Sequence, residues 1–317
     1  MRTSMKKQLE QKKSLFADVV VPEGLHNDAS RALKCCALCG GIDVDRIYLQ
    51  AHFPVVRCRK CSLIYADEHF RDEDLTRFYS GDYYQRAYVC HPPQIDAKIA
   101  GDYVREFRRV DDRVKGGSLL DFGSARGTFL GALMRTEMGK RWRCEGVDIN
   151  ADEIAMGRAK GLPVRVADIS GNAVPATAYE AVTAFSVIEH MKDPRAILAA
   201  VRRVLKPDGH FLMIVPNGKC LIIALGRLAA ALFGDRVRSF TDNVFHEEHL
   251  YYFSPLTARR MLNECGFDVV EIGFQPSYLE THAPGIALKL PAALLRFASW
   301  VFRRQTMLLV LARRRSE

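Results

Sequence analysis

The stretch Ser118–Phe129, SLLDFGSARGTF, constrains the chain most. Its apolar run Ser118–Phe122 has the length of a short buried strand and stops at Gly123. A second glycine, Gly127, precedes a helix-like run, Thr128–Met134. Strand, glycine turn and helix together form the opening unit of an α/β nucleotide-binding fold. Glycines suit such a turn because the backbone bends sharply there and a ligand must come close. Twenty-one residues beyond Gly127, a second strand, CEGVDIN, ends in the acid Asp148. That is about the spacing at which these folds set a carboxylate on ribose hydroxyls. The loop reads D-x-G-x-x-x-G rather than G-x-G-x-x-G, with Ala125 between the glycines. Alone, it fits a plain turn as well as a nucleotide cradle.

The flanking sequence alternates. Apolar runs predict strands at 118–122, 143–148, 163–167, 180–185 and 210–215, with helices at 128–138, 151–159 and 194–205. Such alternation implies a parallel sheet covered on both faces. Upstream, Ile95, Ile99, Tyr103, Phe107, Val110 and Val114 recur at intervals of three and four, the stripe of an amphipathic helix packed on the core. Asp193 and Pro194 suit the cap and first turn of the helix at 194, and Lys206-Pro-Asp-Gly209 predicts a turn at its end.

Cys36-Ala-Leu-Cys39 and Cys58-Arg-Lys-Cys61 are separated by eighteen residues. Each C-x2-C knuckle can turn two thiolates to one side of a tetrahedral ion, and four sulfurs leave no open position. The expectation is a small zinc ribbon over 31–66 with Cys36, Cys39, Cys58 and Cys61 as ligands of a structural zinc. The alternative is four unrelated buried cysteines, and Cys35 complicates the register. The N-terminus is too polar for a signal peptide, so nine cysteines suggest a reducing, cytoplasmic setting.

Charge narrows the partners. The net charge is +9, but residues 1–13 and 303–317 carry +4 each, leaving +1 between them. The basic excess sits in two ends rather than along a groove, which speaks against nucleic acid. No run approaches the roughly 18 uninterrupted apolar residues of a membrane span. The apolar segments Cys220–Phe233 and Pro284–Phe302 leave open a lid, a dimer face, peripheral membrane contact or plain core helices.

The segments FSVIEHMKDP (185–194) and VLKPDGHFLMIVPN (204–217), taken with DFGSARG, VDIN and VADI, resemble class I S-adenosylmethionine-dependent methyltransferases over about 113–274. The resemblance implies an α/β, Rossmann-like, doubly wound sheet of seven strands with the last antiparallel, and FDVVEIGF (267–274) and TMLLVLARR (306–314) fit the final two. The expected organisation is a mobile tail over 1–30, the zinc ribbon, a helical linker and acceptor-side cap over 67–112, and a methyltransferase domain over 113–317 with insertions at about 218–245 and 275–305. Position by position, the resemblance implies that Asp121, Gly123, Ala125 and Gly127 line the methionine part of S-adenosylmethionine. It puts Asp148 on the ribose, Ile149 against the adenine, Asp168 and Ile169 at the adenine edge and face, and Phe185 and Ser186 under the methionine moiety. Ala125 departs from the family's common glycine, and Arg126 has no assigned role.

FHEEHLYYFS (245–254) is similar to a segment of sugar C-methyltransferases, which also begin with a four-cysteine zinc domain. On that resemblance His249 is the base and Glu248 orients it, while His246 replaces a tyrosine. SGDYY (80–84) resembles those enzymes' tyrosine loop, so Tyr83 or Tyr84 faces the acceptor. Glu189 and His190 fall near cofactor and acceptor, with loop support as the competing role for His190. Methyltransferases acting on quinones, lipids or hydroxylated small molecules fit equally well. The bland alternative for HEEH is a surface turn before a helix starting near Ser254-Pro255. The expected function is methyl transfer to a small-molecule acceptor (a sugar, a quinone precursor or a lipid-linked compound), and neither the oligomeric state nor the methylated atom is set. Two competitors are a zinc-ribbon nucleic-acid-binding protein or RNA methyltransferase, and a nicotinamide-dependent dehydrogenase, which usually needs the fuller glycine fingerprint.

Overall fold

The structure, a computed structural model, describes residues 35–49, 54–67, 93–233, 249–277 and 289–316. The tail at 1–30, the tyrosine loop with Tyr83, and His246 and Glu248 lie outside the described residues.

The larger sheet is built from β4 (Gly117–Phe122), β5 (Trp142–Asp148), β6 (Val164–Val166), β7 (Tyr179–Phe185), β8 (Leu205–Pro216), β10 (Phe267–Gln275) and β11 (Met307–Arg314). Its order is β6-β5-β4-β7-β8-β11-β10. Strands β4 to β8 pair in parallel, and β11 runs antiparallel to both its neighbours. This is the doubly wound seven-stranded arrangement expected.

Alternation along the strands divides the core. Leu119, Ala181, Leu212 and Leu309 point to one face, where α1 (Pro93–Val114) and α2 (Thr128–Met134) bring Phe107, Val110, Phe129 and Leu133. Leu120, Val182, Phe211 and Val310 point to the other, against Leu198 and Val201 of α4 (Pro194–Val204) and Met261 and Leu262 of α6 (Pro255–Glu264). A large apolar side chain so buried contributes about 1.5–3 kcal/mol, which is why these helices lie on the sheet. A further helix, α3 (Ala151–Ala159), is capped by Asn150, whose side chain accepts from the amides of Asp152 and Glu153.

Two local expectations change. The second helix ends at Met134 rather than 138, because the Thr136 hydroxyl donates to the Leu133 carbonyl (2.7 Å) and accepts from the Gly139 amide (3.0 Å). A single 3-10 turn, Gly139–Arg141, follows. The turn at Lys206–Gly209 lies inside β8: Tyr179 faces Leu205 while Ala181 faces His210, so these four residues form a wide bulge. The Asp193 cap is found, its carboxylate accepting from the amides of Arg195 and Ala196 (both 3.0 Å).

The smaller sheet holds β1 (Val44–Leu49), β2 (Pro54–Cys58), β3 (Ile64–Ala66) and β9 (Tyr251–Tyr252), in that order and all antiparallel. Its fourth strand therefore comes from far along the chain. The end of β9 also reaches the larger sheet, where the Gly218 amide donates to the Phe253 carbonyl (2.7 Å).

The two apolar segments form α5 (Leu221–Phe233) and α7 (Lys289–Val301). Neither is a plain core helix: Leu225, Leu228 and Leu232 of α5, and Leu294, Phe297 and Trp300 of α7, are exposed. Among the described residues, no helix is long and apolar enough to cross a membrane.

Candidate active site

The order of the larger sheet reverses between β4 and β7, and a crevice opens there at the carboxyl ends of the strands. Asp121 lies near the end of β4 and Asp148 ends β5, while Phe185 ends β7. Asp168 stands two residues past β6. The residues assigned to the cofactor thus come from four neighbouring strand ends.

The loop after β4 is a left-handed turn in three places, with φ of 72° at Gly123, 46° at Ala125 and 73° at Gly127. At Gly123 an added Cβ would also lie 2.4 Å from Val187 Cγ2, so both conformation and space demand glycine. Ala125 keeps the left-handed path although it carries a methyl, at a strain of about 1–2 kcal/mol. An offsetting bond holds it: the Ala125 amide donates to Asp148 Oδ2 (2.9 Å). Asp148 Oδ1 accepts from the Asn150 amide (2.8 Å). Asp148 therefore ties two loops together, and its carboxylate has acceptor capacity left for a ligand hydroxyl. Burial pushes its carboxyl upward while these amides oppose the shift.

Asp121 is buried and accepts from the Thr183 hydroxyl (2.7 Å). Burial pushes it up to about 7, the Thr183 bond works against this, and the nearby Asp148 charge adds to it. A cation arriving beside Asp121 would restore its ionised form. Such a carboxylate beside a glycine cradle that a Cβ would fill fits a cationic nucleoside. Ile149 is 56% exposed and Asp168 is exposed, so both present surface to a ligand. Ile169 differs from expectation: it is fully buried in the core, and what it offers outward is its carbonyl, which accepts from Arg203 (2.8 Å). Its position three residues past a short strand places it on the inward side of the turn.

Phe185 is buried beneath the crevice, stacked on Tyr103 of α1 with ring centroids 4.3 Å apart and edge-on to Phe129 at 4.9 Å. Ser186 adopts φ 55° and interacts with the Tyr103 hydroxyl. Tyr103 and Thr183 are site residues that the sequence reading missed. Tyr103 counted as one apolar position in a helical stripe; its hydroxyl was the available signal. Arg126, unassigned from sequence, pairs with the buried Glu153 (2.9 Å) and with Asp96 (3.8 Å), joining the loop to α3 and α1.

Beyond Ser186, a 3-10 turn, Ile188–His190, brings Glu189 and His190 to His249. One ligand-type atom from each of the three lies within 4.8 Å of the others. The two imidazole centroids are 5.0 Å apart. Glu189 is fully buried, and its two carboxylate oxygens have no hydrogen-bond partner among the described residues. Burial pushes its pKa up to about 8. A carboxyl and two imidazoles in such contact can relay a proton or hold a cation. The expected partner of His249, Glu248, lies outside the described residues; among the described residues, Glu189 is a carboxyl beside it.

The four knuckle sulfurs also converge. They lie within 4.8 Å of one another, with Cys36–Cys61 at 3.4 Å and Cys39–Cys58 at 3.5 Å. A tetrahedral zinc with bonds of about 2.3 Å needs sulfurs about 3.8 Å apart, so the set fits. The two knuckles repeat one backbone pattern. Gly40 donates to the Cys36 carbonyl and Ser62 to that of Cys58, and both donors have left-handed φ, 68° and 66°. Cys35 is exposed, outside the cluster, which settles the register on Cys36.

Residues 95–272 match a family profile described as a methyltransferase domain. An uncharacterised 37.1 kDa protein in transposon TN4556 of Streptomyces fradiae is 29% identical over 153 residues, 45% of this chain and 44% of that protein. A ubiquinone biosynthesis O-methyltransferase of Acinetobacter baumannii (strain AYE) is 28% identical over 130 residues, 37% of this chain and 53% of that protein. The chain spans about half the length of the curated relatives it matches. A crystal structure of a SAM dependent methyltransferase from Archaeoglobus fulgidus covers 68% of this chain and 94% of its own, with 19% identity and a TM-score of 0.46. With a profile matching more than half its length and the reversed, seven-stranded sheet around a glycine-turn crevice, the chain belongs to the class I S-adenosylmethionine-dependent methyltransferases.

Proposed function

We propose that the protein methylates a hydroxyl of a small-molecule or lipid-linked acceptor, with His249 as the base. The observation that carries this is the packing of His249 and His190 on the buried Glu189, four residues beyond Phe185 at the crevice. Bound S-adenosylmethionine supplies an electrophilic methyl on a positively charged sulfur, which departs as a neutral thioether when the carbon–oxygen bond forms. His249 takes the hydroxyl proton at a ring nitrogen, a task suited to an imidazole whose ordinary pKa is about 6.5. A Glu189 carboxylate beside it balances the imidazolium charge, and the imidazolium then gives its proton up to solvent to restore the base. Asp121 and the Gly123–Gly127 loop hold the methionine part, Asp148, Ile149 and Asp168 contact the nucleoside, and Phe185 and Ser186 floor the crevice. Tyr83, His246 and Glu248 belong to the acceptor side in this reading. Zinc on Cys36, Cys39, Cys58 and Cys61 is structural, since four thiolates leave no open position.

Oxygen is placed ahead of carbon because the Acinetobacter baumannii relative is named for O-methylation. Family membership sets aside the nicotinamide dehydrogenase reading. Calorimetry with S-adenosylhomocysteine, followed by a mass-spectrometric screen for acceptors gaining one CH2, tests the proposal on quinone precursors, sugar nucleotides and lipids. The expected result is binding, and transfer to a hydroxyl that His249→Gln abolishes. Transfer to carbon alone would overturn the hydroxyl, and the absence of binding would overturn the whole reading.

A further inference from the structure

The ribbon and the histidine cluster are joined through backbone. Ile64 of β3 faces Tyr252, and Tyr65 faces Tyr251. The Ala66 amide donates to the Leu250 carbonyl (2.9 Å), and the Leu250 amide donates to the Glu189 carbonyl (2.8 Å). One residue, adjacent to His249, is thus held by the ribbon on one side and holds Glu189 on the other. Tyr251 adds a second tie, its hydroxyl donating to the Lys192 carbonyl (3.0 Å). At the other knuckle, Arg195 of α4 donates to the carbonyls of Ala37 (2.7 Å) and Leu38 (2.6 Å), between Cys36 and Cys39, and pairs with Glu264 of α6.

The cofactor loop is braced differently. Its ties are Asp121 to Thr183, Ala125 to Asp148 and Arg126 to Glu153, within residues 121–183, and Arg126 to Asp96 of α1, none of them to the ribbon. The two halves of the crevice therefore have separate supports.

We propose that the metal-loaded ribbon is a positioning element of the active site. It fixes the Leu250 segment and so the geometry of His249 against Glu189, which makes metal loading a condition for proton removal from the acceptor but not for cofactor binding. This rests on the reading of His249 as base. Cys58 ends β2, and Cys61 precedes β3 by three residues, so the metal clasps the root of the hairpin that carries β3. With three residues in β3 and two in β9, the pairing has little stability of its own.

Hydrogen exchange by mass spectrometry on the 317-residue chain tests this, comparing zinc-loaded protein with protein stripped by a mercurial and chelator. S-adenosylhomocysteine affinity is measured on both. Stripping is expected to speed exchange at 188–191 and 249–253 about tenfold or more, while 118–131 keeps its protection. The dissociation constant is expected to stay within about threefold. Arg195→Ala, which leaves all four cysteines in place, is expected to loosen the same peptides to a lesser degree. If 249–253 keeps its protection after stripping, or if 118–131 is lost equally, the proposal is overturned. Full turnover in His249→Gln would overturn the base instead, and failed binding to loaded protein would overturn the cofactor reading, so the three outcomes are distinguishable.

Discussion

The crevice has two walls built on different plans. In the proposed site the cofactor wall is assembled from residues 121–186, tied within that stretch and to Asp96 and Tyr103 of α1. The acceptor wall draws on three separated stretches, 36–66, 186–192 and 249–253, joined by β3–β9 pairing and the Leu250 amide. A wall made of local contacts can bind its ligand whenever its own sheet is folded. A wall made of distant ones depends on every contributor being in place.

Substitutions can break that contrast. The largest effect is expected from His249→Gln, which should lower kcat by about 10²–10⁴ while leaving S-adenosylhomocysteine binding unchanged by calorimetry. A matching loss of binding would show that the two walls are not separable. Gly123→Ala should do the reverse, forcing a methyl toward Val187 in a left-handed turn. Strain and overpacking of about 2–3 kcal/mol predict a loss of cofactor affinity of roughly 30- to 150-fold.

Proton linkage of cofactor binding should come from Asp121. Folding raises Asp121 from its ordinary value to about 7. The free folded protein thus holds a proton there at pH below 7, and a cationic ligand must expel it. Cofactor affinity should rise with pH up to about 7 and level off above, with proton release detectable from buffer-dependent heats. Thr183→Val removes a bond that favours the carboxylate and should shift that rise to higher pH. For stability the sign is opposite: the unfolded chain loses this proton near the ordinary carboxylate value, so the Asp121 contribution weakens as pH rises to about 7. The smallest effect is expected from Ser254→Ala. It removes the hydroxyl that caps α6 through the Thr257 amide (3.2 Å), and should cost about 1 kcal/mol, read as a lowered melting temperature.

The same contrast explains what the sequence made legible. The sheet, its helices, the Asp193 cap and the glycine turn all follow from patterns a few residues long, and each is found near its expected place. So is the four-cysteine cluster, whose spacing is itself the signal. What escaped is long-range. Two residues, Tyr251 and Tyr252, give no alternation to read, and their partner strand lies early in the chain. Glu189 is named from sequence, but nothing local reveals that it is buried beside His249. Arg126 has no role assigned from sequence because its partners, Glu153 and Asp96, are distant along the chain. The bulge in β8 hid a strand behind a turn signature, since Pro-Asp-Gly punctuates a bulge as readily as a helix end.

The origin of β9 also bears on how the chain is made. Residue 64 leaves the ribosome nearly two hundred residues before its partner, Tyr252. At about 5–20 residues per second the nascent ribbon waits roughly 10–40 seconds with its third strand's edge unpaired. An open edge invites a stray strand from another nascent chain, and at three residues this one is too short to hold such a visitor well. Brevity that makes the finished pairing weak is thus what keeps the growing polypeptide from misassembling during translation.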